Sequence, residues 1–165
     1  AIYKPLKNKK FNDLIVGIRK KFNSEMVAMK EATSFMSKSA QSEAALFALV
    51  ADQSPKSGNA QHFTNFFGVP SAVFKGAERI AREYSTPVVF LRINKVKRGY
   101  YETEFVTIAE NGAETEDWFI TDTFFQLLEE QIIKQPEYYL WSHKRWKSTI
   151  GSTKRAVELS PRVQR

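Results

Sequence analysis

The feature that most constrains the fold is an uninterrupted apolar run over residues 44–51, followed at once by polar, turn-forming residues. The run is much shorter than the roughly 18 residues that a membrane-spanning helix needs. An apolar run without alternation is typical of a strand buried on both faces. It therefore predicts an α/β fold in which a mixed, mostly parallel sheet is flanked by helices.

Asp52 and Gln53 directly follow this predicted strand, and Ser54 and Pro55 come next. Ligands of open α/β sheets bind at the carboxyl ends of strands, so this position favours a binding site. The same residue types also form turns. A structural role for Asp52, as a cap of the next turn, is therefore an equally open interpretation.

Hydrophobic periodicity predicts the other elements. Helices are expected over residues 11–22, 31–41, 71–84 and 123–135, the last two beginning with Ser71 as a cap and with Thr123 in a capping box. Pro136 should end the last helix. Extended segments are expected over residues 26–29 and 88–93. Lys97-Arg98-Gly99 should turn the chain into a strand over residues 100–108, and residues 66–70 should form an apolar loop. One domain over residues 1–147 and a basic tail over 148–165 complete the prediction.

The net charge of +7 is concentrated at the two ends of the chain. Residues 1–39 carry nine Lys or Arg against three acids, and residues 140–165 carry seven against one. Such asymmetry favours an anionic partner, which from charge alone could be nucleic acid, an anionic membrane surface or a phosphorylated substrate. Arg19, Lys20 and Lys21 at the end of the first predicted helix are also explained by the helix dipole.

The block over residues 136–147 interleaves aromatic rings with cations. Arg145 and Lys147 can donate to phosphate or carboxylate oxygens, beside rings that can contact a sugar or an acyl chain. Set beside Asp52 and Gln53, the block suggests one shared pocket for an anionic, partly apolar ligand. The alternative is a carboxy-terminal strand in which Tyr139 and Trp141 face the core.

Several kinds of chemistry have no support in the sequence. With two histidines and no cysteine, a histidine or cysteine metal site is not expected. No glycine-rich phosphate loop of the Walker or Rossmann type is present, so nucleotide binding by those routes is unsupported. No cofactor is predicted. Nucleic-acid binding is the weakest hypothesis, because no nucleic-acid motif accompanies the aromatic and basic block.

Five segments carry a family resemblance: Ile2-Tyr3-Lys4-Pro5-Leu6-Lys7-Asn8, Ala51-Asp52-Gln53-Ser54-Pro55, Phe66-Phe67-Gly68-Val69-Pro70, Thr86-Pro87-Val88-Val89 and Tyr139-Leu140-Trp141-Ser142-His143-Lys144-Arg145-Trp146-Lys147. In this order they resemble the lipid A biosynthesis acyltransferases of the lysophospholipid acyltransferase superfamily. The resemblance implies the carboxy-terminal portion of a glycerolipid-acyltransferase-like α/β enzyme. Such enzymes act at the cytoplasmic face of the bacterial inner membrane. They transfer a fatty acyl group from an acyl carrier protein thioester to a hydroxyl of a phosphorylated glycolipid.

By this resemblance, Lys4 would hold an anionic head group or an oxyanion, Asp52 and Gln53 would organise the pocket, and Arg145 with Lys147 would meet phosphates. Lys4 stands where the family usually has arginine, so a bidentate contact would become a point-charge contact.

The family's catalytic motif, a histidine followed five positions later by an acid, has no counterpart here, because His62 leads to Phe67 and His143 to Ser148. We therefore expect no catalytic residue in this chain and no turnover by it alone. A rival hypothesis is a non-catalytic module that binds anionic membrane surfaces through its two basic ends.

Overall fold

A computed structural model describes residues 1–39, 45–55 and 62–147. The chain divides into two compact units, Ala1–Val50 and Ala51–Arg165. The predicted tail over residues 148–165 lies outside the described residues, and the predicted single domain over residues 1–147 stays a prediction. None of the helices in the described ranges combines the length and apolar character that crossing a bilayer requires.

The first unit combines two helices with a small parallel sheet. Its elements are β1 (Ile2–Tyr3), α1 (Lys9–Lys20), β2 (Val27–Ala28) and α2 (Ala32–Ser39), and β1 pairs with β2 in parallel. The side chain of Asn8 caps α1 by accepting a hydrogen bond from the backbone N–H of Phe11 at 3.1 Å. The predicted helix over residues 11–22 and the extended segment over 26–29 are thus confirmed, with small shifts of their bounds.

The predicted buried strand over residues 44–51 is wrong over its described part. Residues 45–51 form no strand, and the side chains of Leu46 and Val50 are exposed. A buried strand needs hydrogen-bonded neighbours on both edges, whereas the sheet described in this unit consists only of the short strands β1 and β2. Asp52 therefore does not follow a strand. The last residues of the predicted second helix, 40 and 41, and Ala44 lie outside the described residues.

The second unit begins with a hairpin of β3 (Phe63–Phe66) and β4 (Val69–Ala72). Phe67 and Gly68 both have positive φ angles, 52° and 75°, which is the geometry of the tight turns that fit the twist of paired strands. The predicted apolar loop over residues 66–70 and the predicted helix start at Ser71 are wrong, because this turn pairs Ser71 with Thr64. The helix predicted over residues 71–84 is confirmed in its later part, as α3 (Gly76–Glu83).

A second hairpin consists of β5 (Val88–Lys97) and β6 (Tyr100–Ala109), which confirms the predicted pair of strands and its turn. Gly99 occupies the turn with a φ of 82°. At the outer edge of β5, the side chain of Gln135 accepts from the backbone N–H of Lys95 at 3.3 Å and donates to its carbonyl at 3.2 Å. This amide therefore takes the place of a neighbouring strand at that point of the edge.

Helix α4 (Phe119–Lys134) begins four residues earlier than predicted. Its first turn is capped from another helix, because Glu78 accepts hydrogen bonds from the backbone N–H of Thr121 at 3.0 Å and from the Thr121 hydroxyl. The predicted capping box at Thr123 is thus replaced by a tertiary cap. As predicted, the helix ends before Pro136, which opens a short 3-10 helix, Pro136–Tyr138.

The fold is a mixed α/β arrangement, as predicted. Of the three described two-stranded sheets, β1–β2 is parallel and the two hairpins are antiparallel, so the mostly parallel sheet is not confirmed. The core of the second unit lies between α4 and the hairpins. Its members are Phe66, Val73, Ala81, Phe90, Ile108, Ala109, Ile120, Phe125, Leu128 and Ile132.

Replacing Phe125 with alanine tests this core. Phe125 is 1% exposed and packs edge-on against Phe66 and Phe124. We expect Phe125→Ala to lower the free energy of unfolding by about 3–5 kcal/mol in urea titrations. Phe105→Ala, at an exposed position of β6, is the control and should change it by no more than about 0.5 kcal/mol. Equal effects of the two variants would contradict this packing.

Candidate functional site

Two segments that are distant in sequence meet in the second unit, Ala51-Asp52-Gln53-Ser54-Pro55 and the block over residues 136–147. The backbone N–H of Ser54 donates to Nε2 of His143 at 3.0 Å, and the Ser54 hydroxyl donates to the carbonyl of Arg145 at 2.7 Å. The guanidinium of Arg145 donates back to the same hydroxyl at 2.8 Å. The two polar clusters of the sequence therefore lie together.

The block over residues 136–147 folds as turns rather than as the alternative carboxy-terminal strand. After Pro136–Tyr138, a second 3-10 helix covers Arg145–Lys147. Tyr139 packs against the core, whereas Trp141 is half exposed and its indole N–H donates to the carbonyl of Pro136. Without a ladder of strand hydrogen bonds, the position of this block depends on its side-chain contacts.

Arg145 is buried, with 1% of its surface exposed. Its Nη1 donates to the hydroxyl of Ser54 and to the carbonyl of Ala72, each at 2.8 Å. The guanidinium carbon lies 4.7 Å from the ring centre of Phe125 and 5.5 Å from that of Phe66. Hydrogen bonds and ring faces thus compensate part of the cost of burying this charge.

Burial lowers the pKa of Arg145 to about 10, while the nearby Tyr139 and Asp52 oppose the shift. The guanidinium therefore stays charged at neutral pH. Burial also raises the pKa of Tyr139, against a smaller lowering by Arg145. The charges of Asp52, Tyr139 and Arg145 influence one another, so the three side chains form one electrostatic unit.

Several buried polar atoms around Arg145 find no hydrogen-bond partner among the described residues. They are Nε and Nη2 of Arg145, Oδ1 of Asp52, the hydroxyl of Tyr139 and the indole nitrogen of Trp146. Such atoms are uncommon in folded proteins. The Nε and Nη2 atoms form the edge by which arginine binds a carboxylate or phosphate with two parallel hydrogen bonds. The cluster therefore has the donors for an anion and acceptors for a hydroxyl.

The predicted site residues are distributed as follows. Asp52 is half-buried, Gln53 is exposed on the same turn, and Lys147 ends the 3-10 helix that begins with Arg145. The structure brings Asp52 close enough to Arg145 to affect its pKa. Lys4 is exposed and belongs to the other compact unit, so the cluster is defined without it.

Sequence reasoning assigned no role to Ser54 or Tyr139 in this cluster. It also missed a buried pair of side chains, His62 and Asp122. Nε2 of His62 lies 3.3 Å from a carboxylate oxygen of Asp122, 60 residues along the chain. The imidazole stacks on the ring of Trp118 at 4.0 Å, and Lys75 lies over that ring at 5.2 Å. Because His62 is only 1% exposed and directly precedes β3, this pair links the start of the first hairpin to α4.

The sequence model of a family described as bacterial lipid A biosynthesis acyltransferase matches residues 1–148. No curated protein sequence matches the chain.

The hydrogen bonds between Ser54 and Arg145 can be tested by a double-mutant cycle. Ser54→Ala and Arg145→Met each leave buried groups unpaired and should each lower the free energy of unfolding by about 1–3 kcal/mol. Because the two side chains contact each other, their effects should deviate from additivity by at least about 0.5 kcal/mol. Urea denaturation of the four proteins measures this coupling.

The control cycle pairs Ser54→Ala with Arg98→Met, at the exposed turn of the second hairpin. These two effects should add within about 0.5 kcal/mol. Additive behaviour in the Ser54 and Arg145 cycle as well would contradict the contact.

Proposed function

Since the chain belongs to the bacterial lipid A biosynthesis acyltransferase family, we propose that it contributes the acceptor-binding part of such an enzyme. The reaction would move a fatty acyl group from an acyl carrier protein thioester to a hydroxyl of a phosphorylated lipid A precursor. It would take place at the cytoplasmic face of the bacterial inner membrane. The acceptor would bind beside the Asp52 and Arg145 cluster.

The observation that carries this proposal is the buried, charged edge of Arg145. Nε and Nη2 have no partner among the described residues, and the carboxylate of Asp52 and the hydroxyl of Tyr139 are close by. A phosphorylated sugar has both an anion for the guanidinium and hydroxyls for the carboxylate. The site's chemistry therefore matches the two polar parts of the acceptor.

Each predicted residue has a role in this proposal. Arg145, which is buried, would bind the anionic group of the acceptor, and Gln53, which is exposed, would contact its sugar. Asp52 orients a hydroxyl, and Lys147 binds phosphate as a point charge. Lys4 would neutralise an anionic group in the same way, and Lys4→Arg would then strengthen the contact because arginine can bind with two hydrogen bonds.

Acyl transfer also requires a base that removes the proton of the attacking hydroxyl. The hydroxyl oxygen then bonds to the carbonyl carbon of the thioester, and the carbon–sulfur bond breaks to release the thiolate. Neither histidine of this chain suits that role. His62 is buried against Asp122 and Trp118, and Nε2 of His143 accepts the backbone N–H of Ser54. We therefore expect no acyl transfer by these 165 residues alone, and turnover of acyl carrier protein thioester by the purified chain would contradict this part of the proposal.

Acceptor binding can be measured directly by titrating the purified chain with a phosphorylated glucosamine disaccharide lipid. Lys147→Gln removes a charged phosphate contact, of about 1.5–3 kcal/mol, so the dissociation constant should rise about tenfold or more. Gln53→Ala should weaken binding by a smaller factor. The matched controls are Lys134→Gln, in the last turn of α4, and Gln126→Ala, at its exposed face.

Two results would contradict the proposed site. One is equal binding of the phosphorylated and dephosphorylated lipids, since the site is proposed to recognise phosphate. The other is that Lys147→Gln and Lys134→Gln weaken binding equally, because the charge would then act only through the net charge of the protein.

A further inference from the structure

Helix α1 has an apolar stripe that faces outward. None of its residues is buried, although Asn12, Ile15 and Val16 on one side are partly covered. The adjacent side is apolar and open. Its members are Phe11, Leu14, Ile18 and, just past the helix end, Phe22, with exposed fractions of 53%, 57%, 60% and 83%. A contiguous apolar stripe at helical spacing, left exposed, marks an interaction surface.

Cations border this stripe. At 3.6 residues per turn, Lys10 and Lys21 lie along its outer edge, and Lys7 precedes the helix. The ammonium of Lys21 lies 5.7 Å from the ring centre of Phe22, so cation and apolar surface are in contact there. Asp13 is the one acid of α1, and it lies on the opposite side of the helix. The outward face therefore combines apolar rings with positive charge.

We propose that α1 is a docking helix that lies in the surface of an anionic lipid bilayer. Phe11, Leu14 and Ile18 would enter the boundary between head groups and acyl chains. Lys10 and Lys21 would extend sideways to the anionic head groups, as long cationic side chains do at such interfaces. This inference assigns a lipid contact to named residues and does not rest on acyl transfer.

Charge complementarity favours an anionic bilayer over a second copy of the chain or a nucleic acid as the partner of this stripe. If two copies met stripe to stripe with their helices antiparallel, their lysine-bearing edges would approach each other, and juxtaposed like charges are unfavourable. A nucleic acid would pair with the cations but would leave the aliphatic side chains of Leu14 and Ile18 without an apolar partner. An anionic bilayer offers both negative head groups and an apolar layer.

The test uses the full 165-residue chain and co-sedimentation with vesicles of phosphatidylcholine alone or mixed with phosphatidylglycerol. The wild-type chain should bind the mixed vesicles and bind phosphatidylcholine much more weakly. Phe11→Ser/Ile18→Ser should weaken binding by about tenfold or more, because it removes apolar area that the bilayer would bury. Ile133→Ser, at a 69% exposed position of α4, is the matched control and should bind like wild type.

A second pair of variants tests the orientation of the helix. Lysines close to an anionic surface are attracted to its head groups, so Lys10→Gln/Lys21→Gln should weaken binding about tenfold or more. Lys9→Gln/Lys20→Gln removes the same charge from the other side of the helix. That side is about 10 Å further from the bilayer, which is about one Debye length in 0.1 M salt, so the loss should be about threefold or less.

Any of three results would overturn the inference. The wild-type chain could fail to bind the mixed vesicles, the two lysine pairs could act equally, or Phe11→Ser/Ile18→Ser could abolish self-association and leave vesicle binding unchanged. Circular dichroism and thermal unfolding check that each variant is folded, and all substituted side chains are exposed. Because the vesicles contain neither an acyl donor nor a lipid A precursor, failure here would leave the proposed acyltransferase function in place.

Discussion

The second unit depends on one buried charge. Because the guanidinium of Arg145 lies among the rings of Phe66 and Phe125, it must have polar partners inside the protein. It finds them in the carbonyl of Ala72 and the hydroxyl of Ser54, which lie 73 and 91 residues before Arg145 in the chain. One side chain thus holds the 51–55 turn and the first hairpin against the aromatic block. Nε and Nη2 of the same side chain have no hydrogen-bond partner in the part of the chain that the structure describes, and Asp52 is close enough to affect its pKa. The residue that joins these segments is therefore also part of a candidate binding site.

The parts of the fold that could be predicted from sequence are those set by local interactions. Helix α1 follows from its periodicity, the second hairpin from alternating residues around Gly99, and the end of α4 from Pro136. The errors arise where the structure of a segment depends on residues that are far away in the sequence. The 45–51 segment joins none of the described sheets, although its Ala48 carbonyl accepts a hydrogen bond from the backbone N–H of Ile2. The start of α4 is fixed by Glu78, 43 residues before Thr121. No local pattern contains that contact.

The candidate site was predictable to a similar extent. Arg145 stands out in the sequence because its charge, in an aromatic block, needs a partner or water. Asp52 is predicted from its place after a buried strand that residues 45–51 do not form, yet the structure places it close to Arg145. Ser54 was hidden among turn-forming residues, although it makes the hydrogen bonds that join the two segments. The pair of His62 and Asp122 could not be found by spacing, since 60 residues separate its members. Lys4 was inferred from family resemblance alone.

Nuclear magnetic resonance of the chain with isotope-labelled arginine tests the burial of Arg145 and its contacts with Ser54 and Ala72 most directly. It measures how fast the guanidinium N–H protons exchange with water. One set of signals, assigned to Arg145 by its absence from Arg145→Met, should exchange far more slowly than the others. It should also be shifted by the rings of Phe66 and Phe125. Exchange as fast as that of the exposed Arg98, without a ring-induced shift, would contradict the account. Arg145 would then not be buried among these rings, and the candidate site that includes it would not form.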